Sequence, residues 1–360
     1  MIVLTFGAIL NVSILAAANP PATNCGCNDT EPTNPIHLLF DSKGTQTFIN
    51  NSQSIHSPDL ATNSRLATIL SSLGNYGQNS SNNIKGTNVD ISFPKYIITY
   101  TGTNEITDSL LADQDVYISL TRPPNLTNET NSEMSSITTN AYTTNELNAL
   151  EKFVRIGGKS ILLHANHGPN AATTNLNHYD DFTFHNKTLA ERFNIKLHPY
   201  IVYSMISRTK PAGYMTMNVL TKSKCEELQF LSNEVRSIAS HDSCIIVPPS
   251  NSISIAKFPK DAWIAQYEGA KTNLPPQPLN KSTNSKYNDF AILVHAGKGN
   301  VIVVGNSGMI ADYGSPMPAP GLVTIHNNLM FFLNCVSYLS GVVNIPPPGK
   351  LPGYPGHLIP

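Results

Sequence analysis

The run Thr143–Gly168, TTNELNALEKFVRIGGKSILLHANHG, constrains the fold more than any other part of the chain. Thr143 and Glu146 form a capping-box pattern, in which each side chain satisfies a backbone N–H that a helix start leaves open. Leu147, Leu150, Phe153 and Val154 then fall on one helical face. Gly157 and Gly158 stop the helix, because a left-handed C-terminal cap carries no steric penalty at glycine. The apolar run Ser160–His164 has the pattern of a buried strand. It ends in a polar turn, His164-Ala165-Asn166-His167-Gly168. Ligands bind at such strand ends in α/β sheets, so His164, Asn166 and His167 are candidate ligand-binding residues.

The same alternation runs through the first half of the chain. Ile36–Asp41 is a strand. A helix follows, capped by Ser57 with Pro58 at its first position and an apolar face of Leu66, Ile69, Leu70 and Leu73. Tyr96–Thr101 and Val116–Leu120 are further strands, with a short helix or turn over Ile106–Asp113 between them. Asn125–Asn140 is polar and reads as a surface loop, and Thr188–Phe193 as another helix. From residue 203 to 286 the pattern becomes β-rich and irregular, punctuated by Pro248, Pro249 and Pro259. Phe290–His295 and Val301–Gly305 flank Gly297-Lys298-Gly299-Asn300 as a β-hairpin. A closing helix over Thr324–Leu339 presents Leu329, Phe332, Leu333 and Val336. Strand–helix–strand alternation requires right-handed parallel crossovers. The expectation is one α/β three-layer domain over 35–341 with a mostly parallel sheet, a C-terminal hairpin and a β-rich insertion at 203–286.

Charged residues are 13% of the chain and the net charge is −1. No Lys/Arg block is present, which removes the electrostatic basis for nucleic-acid or polybasic membrane binding. The N-terminus, MIVLTFGAILNVSILAAANPP, is an apolar run followed by small residues, so residues 1–18 are expected to be a signal peptide and 19–34 a linker. That places the protein outside the cytosol: secreted, periplasmic or in the cell envelope. An uncleaved N-terminal anchor is the alternative, and no other segment is long and apolar enough to span a membrane. The tail, 342–360, is rich in Pro and Gly and is expected to be extended. If the chain is exported, Cys225 and Cys244 are a possible disulfide closing a loop of about 20 residues, while Cys335 reads as a small core residue.

Three segments carry a family likeness: ELNALEKFVRIGGKSILL (Glu146–Leu163), GKGNVIVVGNSGMI (Gly297–Ile310) and NNLMFFLNCVSYLSG (Asn327–Gly341). In them the chain resembles the class I glutamine amidotransferase-like superfamily, whose fold is flavodoxin-like. It is most similar to the non-glutaminase branches, seen in trehalose-utilisation, gliding-motility auxiliary, intraflagellar-transport and uncharacterised exported bacterial proteins. The resemblance implies a nucleophilic cysteine on the turn after the central strand and a histidine after a later one. Asn166 occupies the first position, and Gly305-Asn306-Ser307 the second. The thiolate–imidazole pair that glutamine hydrolysis needs is therefore not expected.

Several polar groups converge on the strand ends. Asp41 ends the first strand, where it is either a ligand contact or an Asx-turn residue. Ser119 and Arg122 end the third, and the Arg122 guanidinium either forms a surface salt bridge, the leading reading, or holds a ligand carboxylate or phosphate. Asn306, Ser307 and Asp312 follow the hairpin. His164, His167, His178, Asp180, Asp181 and His185 are close in sequence and carry the ligand types of zinc or a similar divalent transition metal. On a turn their spacing fixes no shared face, so a polar surface loop with capping and hydrogen-bonding roles is the leading reading, with a metal site and a metal-free ligand pocket as the alternatives. His295 lies within an apolar strand and reads as a satisfied core histidine. Gly297-Lys298-Gly299 lacks P-loop spacing and is a hairpin turn.

The expectation drawn from these features is an exported, non-catalytic binding module with a degenerate amidotransferase-like site and no cofactor. Its partner would be a carbohydrate, a peptide or an envelope protein. One alternative is a cell-envelope hydrolase built on the His/Asp cluster, with or without a metal. A structural subunit of an envelope complex is the other.

Overall fold

The structure is a computed structural model that describes residues 35–43, 66, 69–70, 73, 96–120, 141–165, 186–207, 210–211, 215–221, 225–240, 243–266, 277–279, 288–310 and 322–341. In chain order the elements are β1 (Ile36–Phe40), β2 (Tyr96–Tyr100), α1 (Asp108–Leu111), β3 (Val116–Ser119), α2 (Thr144–Arg155) and β4 (Ser160–His164). Then come β5 (Lys196–Tyr203), β6 (Met205–Ser207), β7 (Lys210–Pro211), β8 (Met215–Val219), α3 (Glu226–Leu231) and β9 (Ser237–Ser240). The chain continues through β10 (Ser243–Val247), β11 (Ser252–Lys257), β12 (Trp263–Gln266) and β13 (Gln277–Pro278). It closes with β14 (Asp289–Ala296), β15 (Gly299–Val304), a 3-10 turn (Ser307–Ile310) and α4 (Asn328–Leu339). Residues 186–191 are also helical.

A sheet of thirteen strands runs β13-β12-β5-β10-β14-β15-β4-β3-β1-β2, with β11 on β14 and with β8 and β9 continuing from β11. Among the described residues, parallel pairing is confined to β2-β1-β3-β4-β15. Beyond β15 the described ladders are antiparallel. The sheet is thus mixed, not mostly parallel as the strand–helix alternation suggested. The switch of direction at β14 has a plain physical cause in the two-residue turn between β14 and β15, since a parallel pair needs a crossover of a dozen or more residues. The strands of the β-rich segment join this same sheet: β10 and β11 both pair with β14.

Side chains alternate between two cores, one on each face of the sheet. Leu38, Phe40, Ile118, Leu162, Ile302 and Val304 pack with α4 through Phe331, Phe332 and Val336. Leu39, Tyr117, Ile161, Leu163, Val301 and Val303 pack with α2 through Leu150, Phe153 and Val154. This is the period-2 signature of a sheet buried on both faces, and it produces three layers. Leu66, Ile69, Leu70 and Leu73 are buried on the α4 side; the caps expected at Ser57 and Pro58 lie outside the described residues. Cys244 is buried on the α2 face, whereas Cys225 packs against the other core. The sheet separates them and both are free thiols, so the pairing considered for an exported chain is not made. Cys335 is a buried core thiol, as expected.

The capping box is present in full: Glu146 N donates to Thr143 Oγ1 at 3.1 Å and Thr143 N to Glu146 Oε2 at 2.9 Å. Gly158, at φ +70, makes the left-handed exit. The β14–β15 turn then docks on this exit, with Lys298 N donating to Arg155 O at 3.0 Å. A side chain at Gly299 would overlap the carbonyl oxygen of Lys159. The closing helix begins at Asn328, four residues later than the sequence pattern suggested, because His326 is held at φ 51 and interrupts a helical path from Thr324.

Candidate functional site

The parallel strands β2, β1, β3, β4 and β15 end together, and their last polar residues stand in a row. Phe40 is in register with Tyr100 and Ile118, Ser119 with Leu163, and His164 with Val304. The row therefore reads Thr101, Asp41, Ser119, His164, Asn306 across the carboxyl edge. Backbone bonds extend the pairing one step past the strands, with Asp41 N to Ile118 O at 2.9 Å, Thr101 N to Phe40 O at 3.0 Å and Ala165 N to Val304 O at 2.8 Å.

Asp41 is the hub of this row and is fully buried. Its Oδ2 accepts from the Tyr117 hydroxyl at 2.6 Å and the Tyr142 hydroxyl at 3.0 Å. Its Oδ1 accepts from the Thr101 hydroxyl at 3.2 Å and from Lys43 N at 3.2 Å. The last of these is the Asx-turn arrangement expected of an aspartate leaving a strand. The two tyrosine oxygens are 3.0 Å apart, and Ser119 Oγ lies 2.7 Å from Tyr142 Oη. Ser42 extends the network to the β2 exit: its N–H donates to Thr101 Oγ1 at 2.9 Å and its Oγ accepts from Gly102 N at 2.8 Å.

A second buried carboxylate joins this edge to the helix start. Glu146 Oε1 accepts from Lys43 Nζ and from Ile106 N, each at 3.2 Å, while Oε2 serves the capping box. Glu146 is fully buried, and the Lys43 side chain is only 16% exposed. A buried charge is tolerated only when paired and hydrogen-bonded, and both conditions are met here.

His164 is 1% exposed and stacks on Phe332 with ring centroids 6.2 Å apart. Its Nδ1 lies 3.3 Å from Ser119 O. Burial disfavours the imidazolium and lowers its pKa to about 4. Its carbonyl accepts from the Asn186 amide, which ties the helix at 186–191 to the end of β4. Asn306 and Ser307 are buried, and Asn306 Oδ1 accepts from Gly308 N to close the turn after β15. Burial pushes the Cys244 thiol up to about 12, and raises those of Cys335 and Cys225 as well. At neutral pH these cysteines are thiols, without the thiolate that nucleophilic catalysis requires.

Asp41 and Ser119 thus share one hydrogen-bond network with Tyr117 and Tyr142 on the α2 face, whereas His164, at the same strand ends, turns to the α4 face against Phe332, and Asn306 and Ser307 follow β15. Arg122, Asn166, His167, His178, Asp180, Asp181, His185 and Asp312 lie outside the described residues. Among the described residues no group of three or more His, Cys, Asp or Glu side chains is placed to hold a metal ion. His295, expected in the core, is instead at an exposed strand end, with Nδ1 2.7 Å from Asn300 Oδ1 and Nε2 3.8 Å from Glu227. Sequence reasoning missed Tyr117, Tyr142 and Thr101, and saw Glu146 only as a cap. Tyr117 did carry a signal: it is the polar-tipped residue in an otherwise apolar strand pattern, and a buried tyrosine needs a partner for its hydroxyl.

No family model and no curated protein matches the chain. Among solved structures it is similar to the N-terminal domain of mmIFT52, at 12% identity and a TM-score of 0.48, covering 84% of this chain and 97% of that one. It is also similar to a cytoplasmic protein of Salmonella typhimurium LT2, at 12% identity and a TM-score of 0.43, covering 84% and 98%. A thua-like protein from Parabacteroides merdae ATCC 43184 matches at 8% identity and a TM-score of 0.39, covering 86% and 92%. At these values the likenesses establish no family. The α/β architecture stands on the strand and helix arrangement itself. Among the described residues no helix is long and apolar enough to cross a membrane.

Proposed function

We propose that the protein is an exported, non-catalytic binding module of the amidotransferase-like, flavodoxin-like type, which takes a carbohydrate, a peptide or an envelope protein at the carboxyl edge of its parallel strands. One observation carries this reading: the polar row at that edge is occupied in holding the fold together. Asp41 is buried under two tyrosine hydroxyls, a threonine hydroxyl and a backbone N–H, and is in no position to act on a substrate. Such a network makes a rigid floor, and rigidity lowers the ordering cost of binding. In the sequence, Arg122 follows β3 by three residues, and Asn166 and His167 follow β4 by two and three; all are neutral or singly charged hydrogen-bonding groups suited to a polar ligand. The position of the family's nucleophile belongs to Asn166, which leaves binding without thiol chemistry.

The test is a thermal-shift screen of the full chain against envelope glycans and peptides, run beside ester, amide and glycoside probes and metal analysis. A ligand that binds only the folded state raises the melting temperature, by about 2.7 kcal/mol of added stability at a hundredfold excess over Kd. The expected result is a shift that weakens in Arg122→Ala or Asn166→Ala, with no turnover of any probe. Turnover that disappears in His167→Ala together with bound metal would replace this reading with the hydrolase. A screen without any shift would replace it with the structural subunit.

A further inference from the structure

Asn186-Lys187-Thr188 has the form of an N-glycosylation sequon, a pattern that marks a surface loop when it is used. Here it lies in a helix instead. Asn186, Leu189, Ala190 and Phe193 follow at i, i+3, i+4 and i+7, and their exposures are 0%, 0%, 0% and 2%. Asn186, Leu189 and Ala190 form one inward stripe of the helix, continued by Phe193 in the turn after it, and Leu189, Ala190 and Phe193 belong to the core on which α2 packs. The outward face belongs to Lys187 and Glu191, whose ion pair at 3.9 Å joins half-exposed side chains. The Asn186 Nδ2, the atom a glycan would occupy, donates to the carbonyl of His164 at the end of β4.

We infer that Asn186 is a closed sequon: the folded chain cannot carry a glycan there, and modification before folding blocks the docking of the 186–191 helix on β4. Transfer from a phosphate-carried oligosaccharide forms a bond between the anomeric carbon and Nδ2, breaks the sugar–phosphate bond and releases one amide proton. The product places a bulky hydrophilic group where the side chain is enclosed by protein. It also points that group at the edge where β4 is held. The inference rests on packing alone and is independent of what binds at the carboxyl edge.

The experiment makes the full chain in a glycosylating secretory host, beside Thr188→Ala, which no longer presents the sequon. Occupancy at Asn186 is read by peptide mass spectrometry in the soluble, cooperatively melting fraction and in the retained or aggregated fraction. The expected result is no glycan at Asn186 in the native fraction, with all occupied chains in the other. Native, cooperatively melting protein that carries a glycan at Asn186 overturns the inference. A second variant, Asn186→Asp, is made in a host without N-glycosylation; it replaces the donating amide with a carboxylate facing the His164 carbonyl. A clearly lower urea midpoint is expected, and an unchanged midpoint overturns the closed packing on which the inference depends.

Discussion

A histidine at the last position of a strand invites a ligand role, and His164 carries that expectation from the sequence. The structure gives it a different setting, with its ring on Phe332 and Nδ1 facing Ser119 O. Because burial lowers its pKa from 6.5 to about 4, the unfolded chain takes up a proton below pH 6.5 that the folded chain refuses until about pH 4. Stability from this group is complete above pH 6.5 and is lost as the pH falls through that window, with a total of about 3 kcal/mol. Urea midpoints measured from pH 7 to pH 4.5 should therefore decline more steeply in the native protein than in His164→Gln; equal slopes would refute the assignment. Asp41 shows the opposite case. Its place at a strand end was legible, but its partners Tyr117, Tyr142 and Thr101 are far away in sequence. No local pattern announces hydroxyls that meet only when β1, β2 and β3 are side by side.

The elements that were legible are those whose signal is local. In α2 the cap, the apolar stripe and the glycine stop agree with one another, and β4 follows as an unbroken apolar run. By contrast, α3 has six residues, Cys225 at its N-cap makes no side-chain cap bond, and only Leu228 and Leu231 are buried, so almost no periodicity marks it. The hairpin was readable from its glycines, though for only half of the reason. Gly297 is at φ +64, which the turn requires. Gly299 is dictated from outside the hairpin, because the backbone at Lys159 leaves no room for a Cβ. Gly299→Ala should push the turn away from the α2 exit and loosen the Lys298 N to Arg155 O bond, with a destabilisation of about 1–3 kcal/mol. A chemical-denaturation midpoint within error of the native value would show that the contact yields at no cost.

At the scale of the whole molecule, the β-rich segment was expected as an addition to a parallel domain, and its pairing gives it a larger part. β14 is flanked by β15 on one side and by β10 and β11 on the other. Its Phe290, Ile292 and Leu293 are fully buried between the two cores, together with Ile245, Ile255 and Ile264 from the segment itself. Replacing residues 204–287 with a short Gly/Ser linker would strip β14 of its partners along one whole edge and leave β5 without β10 and β12. Each fully buried Ile, Leu or Phe is worth about 1.5–3 kcal/mol, and a domain's entire net stability is about 5–15 kcal/mol. Loss of a handful of these side chains is therefore enough to unfold the parallel half as well. The shortened chain should lack a cooperative thermal transition and bind a hydrophobic dye at 25 °C, with the full chain as control. Had the parallel strands held a self-sufficient core, the shortened chain would melt cooperatively. Pairing of β14 on both edges is the reason to expect that it does not.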